Sequence, residues 1–155
     1  MLELLKSYFE QQNWKYSYGE DETRLNVTIN GENGSFECIA GYFNEETQGG
    51  FIFLSIAGSD CPDDKRLQMA ELLTRLNFDQ YLGNFELDFE AGEVRYKTSI
   101  VYNKIQPSLE VIDNLIKFNL TIMDKSLPGI IGLIYNDLTP LEAYKLANED
   151  NLKTE

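Results

Sequence analysis

The chain of 155 residues contains no histidine. That removes every histidine-dependent triad, the usual histidine metal sites and the common proton shuttle of neutral pH. Cysteine is scarce: Cys38 lies in an alternating run and Cys61 in a polar turn, without metal-type spacing, so two free thiols in a reducing compartment are expected. Basic residues are few as well. Thirteen Lys and Arg face 26 Asp and Glu, leaving a net charge of −13. Such a surface repels phosphate backbones and anionic headgroups, so neither nucleic acid nor membrane is an expected partner. Long apolar runs are also missing. The stretch from Leu127 to Tyr135 is interrupted by Pro128, Gly129 and Gly132 and is too short to cross a bilayer. Met1-Leu2-Glu3-Leu4-Leu5-Lys6 lacks the basic start, apolar core and small-residue site of a secretion signal, and a cytoplasmic location is expected.

Motifs for chemistry are equally sparse. Gly49-Gly50 and Gly129-Ile130-Ile131-Gly132 are not followed by the lysine and hydroxyl residue that cradle a phosphate. Asp60, Asp63 and Asp64 cluster, but without the glycine-centred loop and distal glutamate of a calcium hand, and they read as the entrance to a helix. Cys61 sits beside Asp60 without a base to generate a thiolate. No catalytic residue, metal or cofactor is assigned, and the chain is not expected to be an enzyme.

What is present is a core. The composition is 43% hydrophobic and 12% aromatic, enough for one compact domain. Leu2, Leu4, Leu5, Tyr8 and Phe9 recur at helical spacing. Trp14, Tyr16 and Tyr18 alternate, before an interruption at Gly19-Glu20-Asp21-Glu22. Leu25, Val27 and Ile29 form a period-two strand, Asn30-Gly31-Glu32-Asn33-Gly34 a turn, and Phe36, Cys38 and Ala40 the returning strand, with Ile39 on its other side. Phe51-Ile52-Phe53-Leu54-Ser55-Ile56 is apolar almost throughout, which predicts a strand covered on both faces.

Ser59 to Asp64 offers capping oxygens and a proline for a helix continued by Leu67, Met69, Ala70, Leu72, Leu73 and Leu76, ending near Asn77. Phe85, Leu87 and Phe89 then alternate with acids, and Val94, Tyr96, Thr98 and Ile100 alternate with Arg95, Lys97 and Ser99. That is a hairpin in which Glu86 or Asp88 can face Arg95 or Lys97. The last long helix carries Leu109, Ile112, Leu115, Ile116, Leu120 and Met123, widened by Val111, Phe118 and Ile122, so it must bury more than one side. Pro128 should kink or restart it. Thr139-Pro140-Leu141-Glu142 opens a short final helix with a capping box. One domain over 1–147 and a polar tail over 148–155 account for the chain, with no linker or repeat.

The order of these patterns predicts an α+β fold with an antiparallel sheet of about five or six strands and flanking helices. It also resembles a known family. Ser126-Leu127-Pro128-Gly129-Ile130 followed by Leu138-Thr139-Pro140-Leu141-Glu142-Ala143, preceded by helix, strands, helix, hairpin and helix, is similar to the closing pattern of the YbjN-domain family. That resemblance implies a fold similar to the small acidic chaperones of type III secretion, and a cytosolic, non-enzymatic role often described as sensory transduction regulation. It implies no catalytic residue. The related chaperones are dimers that hold a client segment in extended form.

The expected function is a non-catalytic protein-binding or chaperone-like module, possessing regulatory character, as a homodimer that takes a client protein or peptide. The alternative is a regulatory sensor domain that binds a small ligand between sheet and long helix. Trp14, Tyr42, Phe51 and Phe53 are the expected lining of a partner groove, and Phe118, Ile122 and Ile134 the expected subunit contact.

Overall fold

Apolar alternation builds the sheet. The computed structural model describes residues 1–19, 22–78 and 80–149. Helix α1 (Leu2–Gln11) leads into strands β1 (Tyr16–Tyr18), β2 (Arg24–Asn30), β3 (Ser35–Asn44) and β4 (Gly49–Ile56). Helix α2 (Arg66–Asn77), strands β5 (Asn84–Leu87) and β6 (Val94–Tyr102), and helices α3 (Leu109–Tyr135) and α4 (Pro140–Ala147) follow. The strands form one six-stranded antiparallel sheet in the order β1-β2-β3-β4-β6-β5. The α+β class and the strand number agree with the sequence reading. Glu20 and Asp21 of the expected interruption, and the expected polar tail from residue 150 onward, lie outside the described residues.

One face of the sheet makes the core. Leu25 and Val27, Phe36, Cys38 and Ala40, Phe51, Phe53 and Ser55, and Val94, Tyr96 and Thr98 all point to it and are buried. Each fully buried Leu or Phe there contributes about 2–3 kcal/mol of transfer free energy. The helices cover that face. Leu5, Tyr8 and Phe9 anchor α1, and the Tyr8 hydroxyl donates to Asp113 Oδ1 on α3 at 2.9 Å. Met69, Leu72, Leu73 and Leu76 anchor α2, whose last residue, Asn77, exchanges hydrogen bonds with the Phe85 backbone at 2.7 and 3.1 Å.

Two local expectations need correction. The entrance to α2 is a 3-10 turn over Asp63–Lys65, and no side chain caps either it or α2. Asp63 instead pairs with Arg66 at 2.6 Å. Pro128 does not restart α3, which runs as one helix from Leu109 to Tyr135. The lost hydrogen bond and ring clash cost about 3 kcal/mol, and burial of Leu127, Ile130, Leu133 and Ile134 offsets them. Lys65 closes the far end of that helix, donating to the Leu133 and Ile134 carbonyls at 3.2 and 3.0 Å and to Asp137 at 2.6 Å. A cation there satisfies free carbonyls and complements the helix dipole.

The hairpin pairs charges as expected, through one of the two acids named. Asp88 does not face a base; its Oδ1 accepts from the Glu90 and Ala91 amides at 2.8 and 3.0 Å and shapes the turn. Glu86 does face both bases, accepting from Arg95 Nε at 2.8 Å and from Lys97 Nζ. Burial would raise the Glu86 carboxyl, but Lys97 and Arg95 outweigh it and hold the group below its ordinary value. A depressed folded-state value stabilises above the unfolded value and is lost as pH falls through the folded one. Acid denaturation of Glu86→Gln should therefore show a shallower stability loss below about pH 4.5 than the parent, measured by urea unfolding at pH 7 and pH 3. Identical losses in the two proteins would show that the pair contributes nothing.

Candidate protein-binding face

The central strand β4 decides where a partner can bind. Its apolar run was expected to be covered on both faces, and the structure covers only one. Phe51 and Phe53 point under the helices, 2% and 0% exposed, while Ile52, Leu54 and Ile56 point away and stay half-exposed. The register aligns these residues with their neighbours. Asn26, Ile39, Leu54 and Lys97 form one row across the sheet, and Thr28, Glu37, Ile56 and Arg95 form the next. Ile39, Ile52, Leu54 and Ile56 do not belong to the core cluster or to the residues packed on it. Among the described residues, no helix lies on this side. A contiguous apolar stripe therefore runs down the middle of an open sheet.

Toward one end the stripe deepens into a groove of about 400 Å³ lined by Arg24, Gly41, Phe43, Gly50, Ile52 and Val101. A Cβ at Gly50 would overlap the Phe43 ring, which would have to turn aside. Phe43 and Val101 are 43% and 60% exposed, large for apolar side chains on one face. The electrostatics also differ from the rest of the chain. The outward strand positions carry Arg24, Arg95 and Lys97 against Glu37 and Glu86. The acidic excess of the chain lies elsewhere, so this face meets another protein without the repulsion found around it.

Of the expected groove residues, Tyr42 and Phe51 are among those lining this groove, whereas Trp14 and Phe53 are not. Phe51 and Phe53 are core, so neither side chain can touch a partner. Trp14 is half-buried in an aromatic cluster, with ring centroids 5.8 Å from Tyr8 and 5.5 Å from Phe9. Tyr42 lies beside Phe51 on the covered face, and its hydroxyl donates to the Glu22 carbonyl at 3.4 Å. Of the expected subunit contact, Ile134 is 5% exposed and closed off, whereas Phe118 and Ile122 are half-buried on α3 and packed on the core. The useful residues sit one position away: Ile52 and Leu54 rather than Phe51 and Phe53. Period-two alternation was visible at Ile39, but an unbroken apolar run does not reveal which of its two faces is covered.

Other concave or polar features offer little chemistry. A buried network joins α3 to the sheet: Asn119 Nδ2 donates to the Phe53 and Tyr96 carbonyls at 3.0 and 3.1 Å and to Thr98 Oγ1 at 3.3 Å, while the Ser55 hydroxyl donates to Asn119 Oδ1. All of these side chains are sealed from solvent, which makes the network structural. A cleft of about 780 Å³ opens between the β2–β3 turn, α3 and the end of α4. Its Asp124 is committed to that turn, accepting from the Glu32 and Asn33 amides at 3.1 and 2.9 Å. Both cysteines are buried free thiols. Burial pushes the Cys38 thiol up to about 12 and raises Cys61 as well, opposite to what a nucleophile requires. Among the described residues, no helix is long and apolar enough to cross a membrane.

Both edges of the sheet are short, three residues in β1 and four in β5. They offer little template for adding a client strand. Fold and surface together define an α+β domain with a helix-covered sheet face and a bare one. The model of the YbjN family, described as a putative bacterial sensory transduction regulator, matches residues 1–131, and the chain belongs to that family. No curated protein matches it.

Proposed function

We propose that this chain is a non-catalytic, protein-binding module of regulatory role, and that it engages its partner through the bare face of the sheet. The observation that carries this reading is the one-sided cover of β4, which leaves Ile52, Leu54 and Ile56 as an apolar stripe beside Phe43 and Val101. Exposed apolar patches rimmed by charge are the usual anatomy of protein contacts. The family's description as a sensory transduction regulator supports the same reading, since a regulator acts through what it binds. Leu54→Arg tests the reading. Affinity capture with the parent and the variant as baits, read by mass spectrometry, should recover a partner that the variant loses. An identical set on both baits contradicts the assignment of this face.

A further inference from the structure

We infer that the bare sheet face takes an extended peptide segment of fixed pattern: an acidic residue, a spacer, a large apolar residue, a spacer and a basic residue, in either chain direction. The inference rests on the reading of that face as a protein-binding surface and supplies the chemistry of the partner. On the outward positions of the strands, two charges are left over. Glu86 already holds Arg95 and Lys97. Arg24 and Glu37 are exposed and make no ion pair among the described residues. They have opposite signs and stand at opposite ends of the apolar stripe. Arg24 is level with Gly41 and Ile52, Glu37 is level with Ile56, and Ile39 and Leu54 share the row between. The Arg24 side chain leans over β3, its Cγ 4.0 Å from where a Cβ of Gly41 would stand. It lines the groove of about 400 Å³, and Glu37 lines a second hollow of about 520 Å³ with Ser17, Asn26 and Ile39. Lys15 lines that hollow too but does not pair with Glu37.

Spacing sets the pattern. Glu37 lies four residues along β3 from Gly41, the partner of Arg24. At about 3.3 Å per residue and about 4.8 Å between strands, Arg24 and Glu37 stand about 14 Å apart. In an extended segment, residues four apart are separated by about 13 Å and share one side, with the residue midway on that side too. An acid and a base at that spacing reach Arg24 and Glu37 together. The residue between them comes down on Ile39, beside Leu54. In an α-helix the same span takes about nine residues, about two and a half turns, which puts the two side chains on opposite sides. Exposed ion pairs are weak, so Arg24 and Glu37 select the pattern while burial of the apolar residue supplies affinity. Strands β3 and β4 are paired along both edges, so the segment meets side chains and no free ladder, and chain direction is open. Single-sign segments fit worse. An acidic one meets Glu37 and a chain of net charge −13, and a basic one meets Arg24.

Selection of a displayed library of random linear peptides on the protein reads the result. The parent should enrich peptides with an acid and a base four residues apart and a large apolar residue midway. On Arg24→Glu the pattern should change to bases at both ends, and on Glu37→Arg to acids at both ends. On the double variant the mixed pattern should return, because the segment docks in either direction. Both residues are exposed, so the circular dichroism spectrum should stay unchanged. A synthetic peptide from the parent selection should bind either single variant about three- to tenfold more weakly. Leu54→Arg sets a guanidinium against the apolar residue and should weaken binding at least about tenfold. A pattern that neither single variant changes overturns the inference, and if those peptides still need Leu54 the binding face stands. Peptides indifferent to Arg24, Glu37 and Leu54 alike overturn both. An empty selection on the parent, or an enriched spacing that Arg24 and Glu37 cannot span, overturns the inference.

Discussion

Asn119→Leu should destabilise the fold by about 3 kcal/mol, because each buried polar group left unpaired costs about 1–3 kcal/mol. The side chain is 0% exposed and binds strands β4 and β6 at once. Leucine cannot accept from Ser55 or donate to the Phe53 and Tyr96 carbonyls. The effect is large for a domain whose total stability is about 5–15 kcal/mol. Thr98 should suffer less than Ser55, since it keeps its own bond to the Leu115 carbonyl at 3.2 Å. Urea unfolding gives the number. In the double variant Ser55→Ala with Asn119→Leu, the loss should be smaller than the sum of the two single losses, because the two groups satisfy each other. A cost below about 1 kcal/mol for Asn119→Leu would mean that the network is not what seats α3 on the sheet.

Gly129→Ala sets two effects against each other. In an exposed helix the change would stabilise by about 1 kcal/mol. Here α4 crosses over Gly129, and a Cβ would press into the Ala143 carbonyl oxygen and lie 3.1 Å from Ala147 Cβ. Backbone oxygen cannot turn aside as a flexible side chain can, so α4 must lift. Overpacking of this kind costs about 1–3 kcal/mol, and a net loss of about 2 kcal/mol is expected, with faster hydrogen exchange along α4. A stabilised variant would show that the α3–α4 crossing yields easily.

These two sites illustrate what the residues disclose unaided. Alternation and turn chemistry placed β2, the Asn30–Gly34 turn and β3, because both faces of an antiparallel hairpin write themselves into adjacent residues. Thr139 and Glu142 disclosed α4 for the same local reason, and both halves of the capping box form, at 2.9 and 3.4 Å. Pro128 was expected to kink or restart the helix, and the restart does not occur because its local penalty is smaller than the burial it permits, which is set by α4 and the sheet. Asn119 gave no signal, since a polar residue on an apolar helix face looks like an interruption until its strand carbonyls are in place. Gly129 was read only for its lack of a phosphate motif, whereas its use is the close approach of α4. The binding face failed for a related reason. Phe51 to Ile56 announces two apolar faces, but which one the helices take depends on the path of every helix in the chain.

Methyl NMR of the protein titrated with the partner that Leu54→Arg loses tests the central claim most directly. The methyl signals of Ile39, Ile52, Leu54 and Ile56 should shift together, while Ile122 on α3 stays in place. Shifts confined to the surroundings of Phe118 and Ile122 would move the contact to α3 and contradict the account of the bare sheet face.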